Sequence, residues 1–178
     1  ELTKSFDRAS KLHQREFEAL PRIWEKVASA YWATAGFVSP FQMYPDLNRM
    51  VPQQLEEFVR ASELTEWQRV ELLASNDKTK KFQELIFWHK LARCRNLVRE
   101  ADIELSRVGI FVIDPVKQKL QAILDLSYGA LTEHEMNHEH PPVRPSERLK
   151  DDISRMRADG REWVDEAERM IKTRIWEN

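Results

Sequence analysis

Residues 87–108 read FWHKLARCRNLVREADIELSRV, and this stretch decides the fold. Its apolar positions are Phe87, Leu91, Cys94, Val98, Ala101, Leu105 and Val108. They are spaced four and three apart in strict alternation. A helix of about 3.6 residues per turn gathers such positions onto one side. The same alternation forms the seam of helices packed side by side. Asp77 ahead of it suits an N-cap. Gly109 behind it suits the left-handed position after a helix end, with Ile110 as the hydrophobic contact that follows. A long helix from Asp77 to Val108 is therefore expected.

Working outward, helical spacing recurs on both sides. From about Leu2 to Phe37 the apolar stripe is Leu2, Phe6, Ala9 and Leu12, then Phe17, Leu20, Trp24, Val27 and Tyr31. Pro21 lies inside it and predicts a kink or a fresh helix start. Gly36, Ser39 and Pro40 end the segment. Pro52 opens a short helix to about Ala61. Thr65 and Gln68 have capping-box spacing ahead of another, to about Ala74. These two form a short helical insert at residues 47–76. On the far side, Asp114-Pro115 reads as an N-cap followed by proline at the first helical position. The helix it opens carries Val116, Leu120, Ile123, Ser127, Ala130 and His134, and ends before Pro141-Pro142. A last helix begins at Ser146, with the stripe Leu149, Ile153, Met156, Gly160, Trp163, Ala167, Met170 and Arg174. Gly160 lets a neighbouring helix approach. Ile110 to Ile113 is β-branched but too short and isolated for a sheet. The expected fold is all-α: an elongated antiparallel bundle of about four long helices with a short two-helix insert, one domain over residues 1–178.

Composition agrees. Of 178 residues, 33% are charged, 42% apolar and four are glycine, which fits helices and excludes turn-rich sandwiches and barrels. With 28 Lys+Arg against 30 Asp+Glu, the formal charge of −2 excludes a globally basic nucleic-acid binder. The densest basic run, Lys90, Arg93, Arg95 and Arg99, scatters around its helix and reads as a solvated face. A nucleic-acid-associated protein is therefore a minor reading. Cys94 is the single cysteine, so no intramolecular disulfide framework exists. It lies on the apolar stripe and reads as core. No run of 18 apolar residues occurs, so no membrane span is expected within the chain. Neither GxxxxGK[ST] nor GxGxxG is present, which speaks against nucleotide hydrolysis and dinucleotide binding.

One segment has the form of a catalytic motif. His134-Glu135-Met136-Asn137-His138 matches the HExxH of zinc hydrolases. Two histidines one turn apart can share a tetrahedral zinc while the intervening glutamate activates its water. Here Glu133 and Glu139 flank the motif, which sits in the last turn of its helix. Arg144 excludes the longer HExxHxxGxxH form. Glu162 and Glu166 are the downstream carboxylates available as a third ligand. On the helical wheel His134 and His138 continue the inward stripe, where they read as packed, hydrogen-bonded histidines. Glu135-x-x-His138 also resembles half of a di-iron site, but no second ExxH occurs. His89 lies about 150° from its helix's stripe and joins no histidine cluster. The expectation is no catalytic residue and no cofactor, with zinc on His134 and His138, and Glu135 as the base, as the alternative.

The loop Gly36–Leu47 is apolar where loops are usually polar. Phe41, Met43 and Tyr44 either seal the bundle end or form a docking patch. The first and last helices keep their stripes close to the chain ends, and the helix from Pro115 is shorter than both. A protein partner or a homodimer is therefore expected through these two helices, with Leu2 and Phe6 as contacts. Ser10-Lys11-Leu12-His13-Gln14-Arg15, followed by Ile23-Trp24, resembles a pattern in uncharacterised bacterial helical proteins. The resemblance covers about the first 40 residues. Those proteins carry an N-terminal membrane helix and a coiled coil before such a segment, and no assigned activity. It implies that an anchor or coiled coil precedes Glu1, and a place in the cytoplasm or at the cytoplasmic face of a membrane. The function read from the sequence is a non-enzymatic interaction or scaffolding module.

Overall fold

The computed structural model describes residues 2–140 and 151–176, with side chains from residue 10 onward. The fold is all-α. Its helices are α1 (Leu2–Phe37), α2 (Pro52–Ala61), α3 (Glu66–Ala74), α4 (Lys78–Val108), α5 (Asp114–Glu139), α6 (Asp152–Ala158) and α7 (Gly160–Trp176). Single 3-10 turns sit at Leu47–Arg49 and Gly109–Phe111, and the described residues contain no strand. They group into two compact units. The first joins Glu1–Val38 with Cys94–Asn178, and the second is Ser39–Arg93. The insert expected at residues 47–76 falls inside the second.

In the first unit, cross-helix pairs give the direction of each helix. Arg22 pairs with Glu104 at 2.6 Å and Lys26 with Glu100 at 3.7 Å, so α1 and α4 run antiparallel. Gln121 donates to Asp102 at 3.1 Å and Arg95 to Glu135 at 3.0 Å, so α4 and α5 do too. Lys119 meets Glu166, and the Ile153 N–H meets Glu133, which sets α5 against α6 and α7. Arg174 grips both carboxylate oxygens of Glu16 at 3.0 Å and closes the ring from α7 to α1. The result is an up-down-up-down four-helix arrangement. Its interior is filled by the 3.6-period faces: Leu20, Ile23 and Val27 from α1, Val98 and Leu105 from α4, Leu120, Ile123 and Leu131 from α5.

The stripe that decided the fold is buried from Phe87 through Leu105. Other expectations need correction. Leu12 and Phe17 are exposed, while Glu16 is buried because Arg174 neutralises it. α1 passes through Pro21 without restarting. Pro21 and Phe17 both face solvent, so the carbonyl that proline leaves unpaired can be hydrated. Gly109 is not left-handed, since no glycine has a positive φ. A Cβ there would lie 3.1 Å from Lys117 Cε, the end of a flexible side chain that can move aside. Ile113, not Asp114, is the cap of α5, one residue earlier than expected. The last helical region is two helices broken at Asp159, and it buries Val164 and Ile171 in place of Trp163 and Met170. At Gly160 a Cβ would meet the Tyr31 hydroxyl at 2.6 Å, so glycine admits the ring of α1 there. The expected start at Ser146 and Leu149 lies outside the described residues.

The second unit packs α2, α3 and the start of α4 around Leu47, Val59, Leu64, Leu72, Phe82 and Ile86. Asp77 caps α4 as expected, accepting from the Lys80 N–H at 3.0 Å and from Asn48 Nδ2 at 2.9 Å. Those two bonds hold its carboxyl below the usual carboxylate value, Asn48 contributing most.

Candidate interaction surface

α3 reads EWQRVELLA, more apolar residues than one face of a nine-residue helix can hold. Leu72 is fully buried. Gln68, on the same side, ties the helix to α4. Its Oε1 accepts from the Thr65 N–H at 2.9 Å and the Thr65 hydroxyl at 3.0 Å. His89 Nε2 lies 2.8 Å from the same oxygen. An oxygen only accepts, so Nε2 is the protonated nitrogen of His89. At about 100° per residue, Trp67, Val70, Leu73 and Ala74 span an arc of about 120° roughly opposite Leu72. There Trp67 is 64% exposed, Val70 62% and Leu73 43%. The helix is therefore apolar on two opposed faces, of which one is covered.

The loop between α1 and α2 divides in the same manner. Tyr44 is half-buried, with Lys90 Nζ 4.7 Å from its ring centre and Phe82 edge-on at 6.4 Å. Leu47 belongs to the core. Gln42 donates to Ser39 O at 3.2 Å and holds the turn. Phe41 and Met43 are 89% and 96% exposed. Two of the three loop candidates are thus open to solvent, and Tyr44 is a packing residue. The helical positions of Leu2 and Phe6 are given, but their side chains lie outside the described ones.

The HEMNH segment occupies the last turns of α5, in the first unit. The His134 ring is half-buried and stands edge-on to Phe37, with centres 4.8 Å apart. Burial first, then the charges of His138 and Arg157, press its pKa from 6.5 down to about 4. Arg157 itself donates to Val38 O at 3.0 Å, at the end of α1. Glu135 has both oxygens gripped by Arg95. Glu133 accepts the Ile153 N–H at 2.9 Å and caps the first turn of α6. Glu166 pairs with Lys119, which lies four turns from His134, about 22 Å along α5 at 1.5 Å per residue. Among the described residues no three His, Cys, Asp or Glu side chains are grouped to hold a metal ion.

The basic run is likewise divided. Lys90 bonds Gln42, Arg93 meets Glu63, Arg95 meets Glu135 and Arg99 bonds Asn96. Cys94 is buried with Sγ 3.5 Å from Ala33 O. No helix among the described residues is long and apolar enough to cross a membrane. Helical spacing did not single out Trp67, Val70 and Leu73. The signal was present, because apolar residues at 67, 70, 72, 73 and 74 cannot share one side of a helix.

The class these observations define is an all-α protein built on an antiparallel four-helix arrangement with a helical insert. Comparison of the chain with protein-family models, with curated proteins and with solved structures finds no match.

Proposed function

We propose that this chain is a non-enzymatic helical interaction module that docks a protein partner on the outer face of α3. The observation that carries the reading is the uncovered arc of Trp67, Val70 and Leu73 on a helix already anchored by Leu72. Aromatic and aliphatic groups held on a fixed helix bury area on docking at little cost in entropy. The exposed Phe41 and Met43 of the same unit add to the apolar surface on offer. The resemblance of the opening segment supports a membrane-tethered setting, with this chain as the part that meets the partner.

The test is site-specific photo-crosslinking in cells that make the protein. A photoreactive residue at position 70 should give one discrete heavier adduct, and the same residue at the exposed Glu18 should not. Trp67→Asp should abolish the adduct while circular dichroism stays unchanged. Absence of any adduct from position 70, or one indifferent to Trp67→Asp, overturns the reading.

A further inference from the structure

A second surface lies in the first unit, on the outward side of α4 and α5, and its charges are left half-paired. A groove of about 690 Å³ runs between the two helices. Its walls are Arg95, Arg99 and Asp102 from α4 and Gln121, Asp125 and Tyr128 from α5. Val98 and Leu124 form an apolar floor. Positions 95, 98, 99, 102 and 121, 124, 125, 128 repeat the same i, i+3, i+4, i+7 spacing, so each helix offers two turns of one seam. Gln121 Nε2 donates to Asp102 at 3.1 Å and to Asp125 at 3.0 Å, which draws the two carboxylates together. Among the described residues neither has a cationic partner. Arg99 stands beside them with no carboxylate of its own, bonded to Asn96 at 3.3 Å. Tyr128 is 60% exposed at the groove wall.

We infer that this groove is a self-complementary interface, and that its occupant is the α4–α5 face of a second copy of this chain. A two-fold axis lying in the interface and running along the groove, parallel to the helices, lays α4 of each copy over α5 of the other. The cross-helix pairs Arg95–Glu135 and Gln121–Asp102 put Arg99 and Asp125 on neighbouring levels. The axis therefore brings each Arg99 onto the carboxylate pair of the other copy. Both unpaired charge sets are satisfied by one operation, and the contact closes at two. Each Tyr128 enters the opposing groove above its apolar floor. This interface is independent of the α3 face.

Sedimentation of the full chain at micromolar concentration, with charge reversals, decides it. The wild type should be a dimer whose dissociation constant rises with salt. Arg99→Glu should dissociate it, and so should Asp102→Lys with Asp125→Lys, each by at least tenfold, because like charges then meet. Mixing these two otherwise monomeric variants should restore a heterodimer. The glutamate introduced in one then meets the two lysines introduced in the other, whose own Arg99 meets two aspartates. These positions are exposed at the surface, and circular dichroism checks that the variants fold. A wild type monomeric throughout the concentration range overturns the inference. So does a dimer indifferent to the reversals, or two variants that fail to pair when mixed.

Discussion

His134 makes the stability of the first unit depend on pH in the direction opposite to a salt-bridged histidine. Its ring is half-buried against Phe37, with His138 and Arg157 near enough to oppose a positive charge. In the unfolded chain it takes up a proton near pH 6.5, and in the folded chain only near pH 4. Between those values the unfolded state binds more protons, so acid favours unfolding. The contribution is complete above pH 6.5, is lost as pH falls toward 4, and changes no further below that. A displacement of this size on a fully enclosed ring corresponds to about 3 kcal/mol. The ring is part-exposed and water screens its charge, so about 1–2 kcal/mol is the expected share. Urea unfolding followed by circular dichroism at pH 7.5 and pH 4.5 measures it. The wild type should lose about 1–2 kcal/mol more between the two than His134→Gln, whose side chain does not titrate. The carboxylates and the histidines remote from position 134 act alike in both proteins and cancel. Parallel losses would refute the reasoning and place His134 in water.

Further expectations concern the metal, the stripe and the glycines. Protein purified without chelator should hold well under one equivalent of zinc, and chelator should leave its Tm unchanged, because His134 packs on Phe37 and no third ligand is grouped with the two histidines among the described residues; stoichiometric zinc lost on mutating His134 and His138 would overturn this. Leu91→Ala and Leu105→Ala should each cost about 2–5 kcal/mol in urea unfolding, and a loss below about 0.5 kcal/mol would mean that the stripe is solvated. Gly160→Ala should destabilise by about 1–3 kcal/mol because its Cβ meets Tyr31, and Tyr31→Phe should recover part of the loss. Gly36→Ala meets nothing within 4 Å and should be neutral or stabilising by up to about 1 kcal/mol. Equal effects at the two glycines would remove the steric explanation.

What the sequence determined by itself is local. The alternation from Phe87 to Val108 settled a long helix, because period depends only on neighbouring residues. Asp77 and the Thr65–Gln68 box were legible for the same reason, since a cap's partners lie within four residues. The all-α class follows from summing such segments. What only the tertiary structure decided depends on residues far apart in the chain. Nothing near Glu16 indicates that it is buried and Phe17 exposed, because the deciding group, Arg174, is 158 residues away. The role of HEMNH turns on Arg95 and Phe37, which lie on other helices and take Glu135 and His134 into packing. Gly109 reads along the chain as a left-handed helix end yet has no positive φ, and only the fold shows that the neighbour admitted at Gly160 is the Tyr31 ring of α1. The α3 surface is the intermediate case. Its surplus of apolar residues is visible along the chain, but only the fold, by burying Leu72, leaves Trp67, Val70 and Leu73 uncovered. Helix periodicity assigns a residue to a face, and burial depends on which other helix arrives there.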